Sequence, residues 1–337
     1  MDVSRPPKDR WLLAAALLAV LTFAVVGYRV WTPGLDVTDG RHDRGHNGIW
    51  LQHGWLGADE WFRRNRKQGR IAAFRDPKNI EQLAALLKRQ HITDVFPHVS
   101  PADTHGRLPP VDHQQTERFL DAFDGFRVVP WTGGVLGKTV GLNDAAWRRA
   151  FVRSAVDLLS DHPRLAGIHI NIEPCPSGNT EFLRLLDELK RTLPTGKLLS
   201  VAAYPPPTVW QPFLDVHWEE SYFREVARHA DQLAVMMYDT GVPSGKLYQQ
   251  LLKSWTHEIL DWSGGTLVLL GVPTYDDAGV GYHLSSVENL RNALLGIHAG
   301  LSSYRTLPDH YQGVAIYCEW ETDEAEWQYW HEHFLSP

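Results

Sequence analysis

The stretch that most constrains this chain is Leu165–Pro174, Leu-Ala-Gly-Ile-His-Ile-Asn-Ile-Glu-Pro. Ile168, Ile170 and Ile172 alternate with His169, Asn171 and Glu173. A period of two is a strand with aliphatics on one face and polar groups on the other. A half-exposed strand would show the same alternation. The rest of the chain, however, repeats short strand-like runs, several wholly apolar, between helical patterns. That rhythm predicts a barrel of parallel strands. In a barrel the aliphatic face packs on the outer helices and the other face points inward. Glu173 then stands at the carboxyl end of a strand, where barrel enzymes keep their chemistry.

The strand-like runs are 48–56, 92–100, 127–131, 165–174, 198–204, 232–239, 266–275 and 313–320. Helical spacing predicts helices over 79–89, 145–159, 180–191, 218–229, 248–262, 287–297 and 324–334, the second capped by Asn143 or Asp144. The fold class is therefore α/β, a (β/α)8 TIM barrel over 47–337. Only 276–286 separates the seventh strand from the next helix, which leaves no inserted subdomain there and predicts an open groove.

One transmembrane helix is expected ahead of the barrel. Residues 1–10 are a short polar segment. Trp11–Tyr28 is uncharged and apolar, long enough to cross a bilayer, with Trp11, Tyr28 and Trp31 at its ends. A cleaved signal peptide would be shorter and end in a small-residue site. The reading is a signal anchor over 11–30, a linker over 31–46 rich in Pro, Gly and Asp, and a single-pass membrane protein with an extracytoplasmic barrel. The bilayer is then one partner.

A net charge of −7 and the lack of a basic run argue against nucleic acid as another. Fourteen tryptophans is a high number; burial explains most of them, but sugar clefts also use indole faces. Cys175 and Cys318 fall near strand ends too far apart to bridge, and read as free thiols with no partner to make either a nucleophile.

Four motifs carry a resemblance. Ala166-Gly-Ile-His-Ile-Asn-Ile-Glu173 is similar to Asp-Gly-x-Asp-x-Asp-x-Glu, the fourth strand of glycoside hydrolase family 18, with Ala166, His169 and Asn171 at the Asp positions. Met236-Met-Tyr-Asp239 resembles that family's Met-x-Tyr-Asp. Gly271-Val-Pro-Thr-Tyr275 resembles its Gly-x-Pro-x-Tyr, and Leu199-Ser-Val-Ala-Ala203 its fifth strand. The likeness covers strands four to eight by motif and one to three by pattern. It implies a chitinase or endo-β-N-acetylglucosaminidase acting on a polysaccharide or glycan. Glu173 would protonate the leaving oxygen while the substrate's own 2-acetamido group attacks. Asn171, Tyr238 and Asp239 would position the acetamide. The Asn-x-Glu pair also resembles family 85, whose members use an Asn this way. His169, Tyr275, Met236, Trp131, Trp320 and Tyr317, the last at the place of a Trp floor, would contact the sugar. No cofactor and no metal are implied.

Three rival readings follow from the residues. A two-carboxylate glycosidase would pair Glu173 with Asp239, Glu319 or Glu321. A metal-dependent hydrolase would draw on His53, His98, Asp103, His105 and His169. A catalytically inactive sugar-binding barrel would keep the fold without the chemistry.

Overall fold

The computed structural model describes residues 8–335 other than 210, 212, 278 and 280. The chain divides into two compact units, Met1–Pro33 and Gly34–Pro337.

The first unit contains α1, Lys8–Val30, 23 residues long. Its described apolar side chains, from Leu12 at 70% to Val30 at 72% exposure, are open. Among the described residues no helix is long and apolar enough to cross a membrane. The transmembrane helix over 11–30 is therefore not carried by the structure.

The second unit is a closed parallel barrel. Its strands are β1 Asn47–His53, β2 Ile92–His98, β3 Arg127–Val128, β4 Trp131–Val135, β5 Gly167–Glu173, β6 Leu198–Ala203, β7 Gln232–Met236, β8 Leu267–Pro273 and β9 Tyr311–Tyr317. All pairings are parallel, and β1 pairs with both β2 and β9, which closes the ring. β3 and β4 both pair with β2, as Val95↔Val128 and His98↔Trp131. They are two halves of one barrel position, interrupted at Pro130, whose missing N–H breaks the ladder. Nine strands thus fill eight positions.

The helices between strands are α2 Glu60–Arg64, α3 Ile71–Arg75, α4 Pro77–Arg89, α5 His113–Ala122, α6 Ala145–Asp161, α7 Thr180–Thr192, α8 Glu220–His229, α9 Gly245–Trp262, α10 Leu290–Leu301 and α11 Glu324–His333. Asp76, Asp112, Asp144 and Asn179 cap their helices through side-chain oxygens. α2, α3 and α5 lack a sequence signature. The buried positions of α5 include Gln115 and Thr116, whose side chains bond to the carbonyls of Trp55, Phe74 and Leu56.

Alternation on β5 does what its period requires. Ile168, Ile170 and Ile172 join the outer core, packed with side chains of the helix layer such as Phe182 and Leu185. The barrel interior has its own smaller core of Trp50, Phe96, Val129, Trp131, Ala234, Leu269 and Ala315. Residues 34–46, expected as a linker, are packed against the barrel from Gly34 on. Val37 and His42 are buried, and Asp43 and Asp36 pair with His91 and His333 at 2.7 Å.

Candidate active site

β4 and β5 bring the central pair to the carboxyl end of the barrel. Their register sets Asn171 beside Gly133 and Glu173 beside Val135. Gly133 has φ +135°, and a Cβ there would lie 1.8 Å from the Asn171 carbonyl oxygen. Only glycine lets β4 run this close to the strand that carries the site.

Asn171 Nδ2 donates to Glu173 Oε1 at 2.6 Å. Asn171 Oδ1 is buried without a hydrogen-bond partner among the described residues. An unpaired buried acceptor is costly and calls for a donor from outside the protein. Glu173 is exposed to the cavity, and the protein mass around it partly strips its carboxyl group of water. That desolvation raises its pKa, Asn171 and Tyr204 oppose the rise by hydrogen bonding, and the charge of Asp239 adds to it. Its carboxyl group thus keeps a proton to higher pH than an ordinary Glu.

The two residues lie in a cavity of about 550 Å³. Trp50, Trp131, Tyr238, Tyr317 and Trp320 supply aromatic surface, and Met236, Asp239, Tyr275 and Glu321 also face it. Tyr317 sits at the centre of these rings, stacked on Tyr238 at 5.4 Å and edge-on to Trp50, Tyr275 and Trp320. After β6, Tyr204, Gln211, Phe213 and His217 also line the cavity. The segment after β8 adds Asp277 and Tyr282.

Asp239 has φ +61°, a conformation rare outside glycine. The Tyr275 hydroxyl donates to Asp239 Oδ1. Glu288, fully buried, accepts the next two backbone N–H groups, Thr240 and Gly241, at 2.9 Å each. His283 Nδ1 lies 3.2 Å from Asp239 Oδ1.

Every side chain expected at the site lines this cavity except His169. That residue is fully buried below it. Trp50 Nε1–H donates to His169 Nε2 at 3.1 Å, and His169 Nδ1–H donates to Ser200 Oγ at 2.8 Å. Ser200 continues to Gln232, Gln232 to Asp94, and Asp94 to Arg127 with two bonds of 2.6 Å. His169 is also stacked on Phe96 at 4.3 Å. With one nitrogen accepting and one donating it is neutral, and burial pushes its pKa down to about 3. It forms the top of a polar column through the barrel interior.

The rival groups are dispersed. Glu319 is turned to Gln52 N–H and Trp55 Nε1–H, outside the cavity lining, whereas Glu321 stands at the mouth. His53 and His98 pack ring on ring at 3.5 Å, and burial lowers both. Asp103 accepts from the N–H groups of His105 and Arg107 in a turn. Among the described residues, two other groups have metal-ligand spacing, His113–Glu117–His162 on the barrel flank and Asp239–His283–Glu288 at the cavity. Both cysteines are buried free thiols, and burial raises Cys175 to about 12 and Cys318 further, so neither is a thiolate.

Tyr204, His283 and Glu288 were missed in the sequence. The only signal was Tyr204 at a strand end. His283 lies in an irregular segment with no period, and Glu288 falls in the expected helix over 287–297, which in the structure begins only at Leu290.

Searched by sequence, the chain matches no family model and no curated protein. Its fold matches solved structures. The Bacillus cereus spore cortex-lytic enzyme SleL superposes with a TM-score of 0.53 at 13% identity, over 86% of this chain and 74% of that one. A chitinase from Chromobacterium violaceum gives 0.53 at 16% identity, over 83% and 96%. SleL of Bacillus megaterium gives 0.52 at 14%, over 86% and 74%. The barrel is the one these enzymes share. At such identity the likeness is one of fold, and the chemistry rests on the site itself.

Proposed function

We propose that this protein is a glycoside hydrolase that cleaves β-linked N-acetylhexosamine glycans with help from the substrate's acetamide. The observation that carries this reading is the Asn171–Glu173 pair: a carboxyl group whose pKa is raised by its surroundings, next to a buried amide oxygen with no donor among the described residues. An acetamide N–H satisfies that oxygen. Its carbonyl oxygen then attacks the anomeric carbon as the glycosidic C–O bond breaks, and the leaving oxygen takes the Glu173 proton. Water opens the resulting oxazolinium, giving a proton back to the Glu173 carboxylate. The Tyr238 hydroxyl, with no protein partner among the described residues, is placed to donate to the acetamide carbonyl. Asp239 stabilises the positive charge that develops on the ring. Tyr317, Trp320 and Trp131 offer faces to the sugar. No cofactor enters this scheme. The chitinase and cortex-lytic neighbours support the substrate class by analogy.

The test is release of reducing ends from β-linked N-acetylglucosamine oligomers by the wild type and Glu173→Gln, with and without a thiazoline that mimics the oxazoline. Activity lost in the variant and blocked by the thiazoline supports the scheme. Activity lost but insensitive to thiazoline favours a second protein carboxylate, with Asp239 the first candidate. No turnover with equal sugar binding by both forms leaves a binding barrel.

We further propose that α1 tethers the barrel to a bilayer as a single-pass anchor, with the barrel on the extracytoplasmic side. The uncharged run Trp11–Tyr28 with its terminal aromatics supports this. The full chain should co-sediment with vesicles and resist alkaline extraction, and deletion of residues 1–33 should release it.

A further inference from the structure

We propose that Asp239, His283 and Glu288 form a zinc site at the edge of the cavity, with His283 Nδ1, Asp239 Oδ1 and Glu288 Oε2 as the ligand atoms. Zinc binding does not depend on the glycosidase reading; its effect on turnover does.

The histidine carries the argument. Its side chain is fully buried, and its ring is stacked on Tyr275 at 4.1 Å. Nε2 lies 2.9 Å from the Tyr275 carbonyl oxygen. A carbonyl only accepts, so Nε2 carries the proton. Nδ1 is buried without a hydrogen-bond partner among the described residues. It nevertheless faces two carboxylate oxygens, Asp239 Oδ1 at 3.2 Å and Glu288 Oε2 at 3.9 Å. Electron-pair donors turned on one another repel, whereas a cation among them makes every contact attractive. A ring whose far N–H is fixed by a backbone carbonyl is oriented as metal-binding histidines are.

The spacing and the donor set select the ion. The three groups offer ligand atoms within 4.8 Å of one another. Zinc takes imidazole nitrogen and carboxylate oxygen at about 2.0–2.2 Å, and a tetrahedron of that size has edges of about 3.3–3.6 Å. The two distances measured from Nδ1 bracket that edge. Three protein donors are few for calcium, and an imidazole suits zinc better than magnesium. Both carboxylates are held from elsewhere. The Tyr275 hydroxyl donates to Asp239, and the N–H groups of Thr240 and Gly241 donate to Glu288. Each of these oxygens keeps a second lone pair. Asp239 is 38% exposed and lines the cavity, while the other two side chains are fully buried, so the ion enters from the cavity side. The flank group His113–Glu117–His162 differs. Both Glu117 oxygens are already engaged, one by His162 and one by Arg164, whose charge repels a cation.

A dication and two carboxylates sum to zero charge. Asp239 then loses the negative field that the proposed scheme uses, so a filled site should slow turnover.

Zinc titration of the full chain, first stripped with a chelator, should show a site that weakens at least about tenfold in His283→Ala and in Asp239→Asn but persists in His113→Ala. No zinc uptake, or equal affinity in all three variants, overturns the proposal. X-ray absorption at the zinc edge, on wild type with one equivalent of zinc, needs no variant. One imidazole with oxygen donors supports the site. Two imidazoles, as the flank group would give, or oxygens alone, an adventitious ion only, overturn it. On N-acetylglucosamine oligomers one equivalent of zinc should lower kcat at least about tenfold, and a chelator should restore it. Unchanged kcat at full occupancy overturns the effect on Asp239. If the wild type turns over no sugar with or without zinc, the glycosidase reading fails, while titration and absorption still decide the site.

Discussion

Glu173 is an acid only while it holds its proton, and its surroundings decide for how long. Desolvation raises its pKa, so activity that needs the protonated form should persist above the ordinary Glu range and fall as pH rises through the raised value. Asn171→Asp tests the sign. A second carboxylate at 2.6 Å disfavours ionisation of Glu173, so the basic limb of kcat should shift to higher pH. A limb that stays or moves down would mean Glu173 is not the titrating acid. Asn171→Ala should lower kcat by about 10²-fold or more while leaving tryptophan-quench binding of oligomers in place. Of the residues in this account, Asn171 and Glu173 were legible from strand alternation together with the family pattern, and Tyr238 and Asp239, which follow the end of β7, from the family pattern alone. His283 was not, because a loop has no period, and Glu288 was not, because it read as the first turn of a helix that begins at Leu290. His169 shows the limit of alternation: it gives the face of a strand but not the depth in the barrel. One step deeper than Asn171, the same inward row meets Trp50 and Ser200 instead of solvent.

At the level of elements, strand positions were legible wherever a run was aliphatic, and misread where glycine or proline carried the chain. The third position was expected to stop at Trp131. It instead breaks at Pro130 and continues through Gly133 and Gly134 to Val135. Gly133 allows close approach to β5, whereas Gly134 makes room for Thr139 and Pro101. Gly133→Ala is therefore a severe change at an apparently minor position. Its Cβ meets a carbonyl of the site strand, and its φ is strained for any L residue. The cost should be on the order of 3 kcal/mol or more, read as a lower midpoint in urea, with loss of turnover beyond the loss of folded protein. Wild-type stability and activity in this variant would show that β4 is free to move away from Asn171. α5 escaped notice because its buried face is partly polar, and residues 34–46 because they pack through ion pairs and hydrogen bonds, which leave no hydropathy pattern.

Over the whole molecule, charge selects among the glycans a barrel of this kind meets. The chain carries −7, and the described cavity lining holds Glu173, Asp239, Asp277 and Glu321 but no lysine or arginine. A cleft of one sign concentrates ligands of the other and repels its own. Asp277 and Glu321 contribute to this field without belonging to the proposed catalytic set. Oligomers with some free amines should then have a higher kcat/KM than fully acetylated ones at low salt. That advantage should shrink as ionic strength rises and the Debye length falls to about 8 Å at 0.15 M. Carboxylate-bearing glycans should show the reverse slope, and neutral oligomers none. Asp277→Asn with Glu321→Gln should flatten both slopes without changing kcat on the neutral oligomer, because neither group touches the reacting bond in the proposed scheme. Parallel salt slopes for all three substrates would mean that the aromatic floor selects by shape alone.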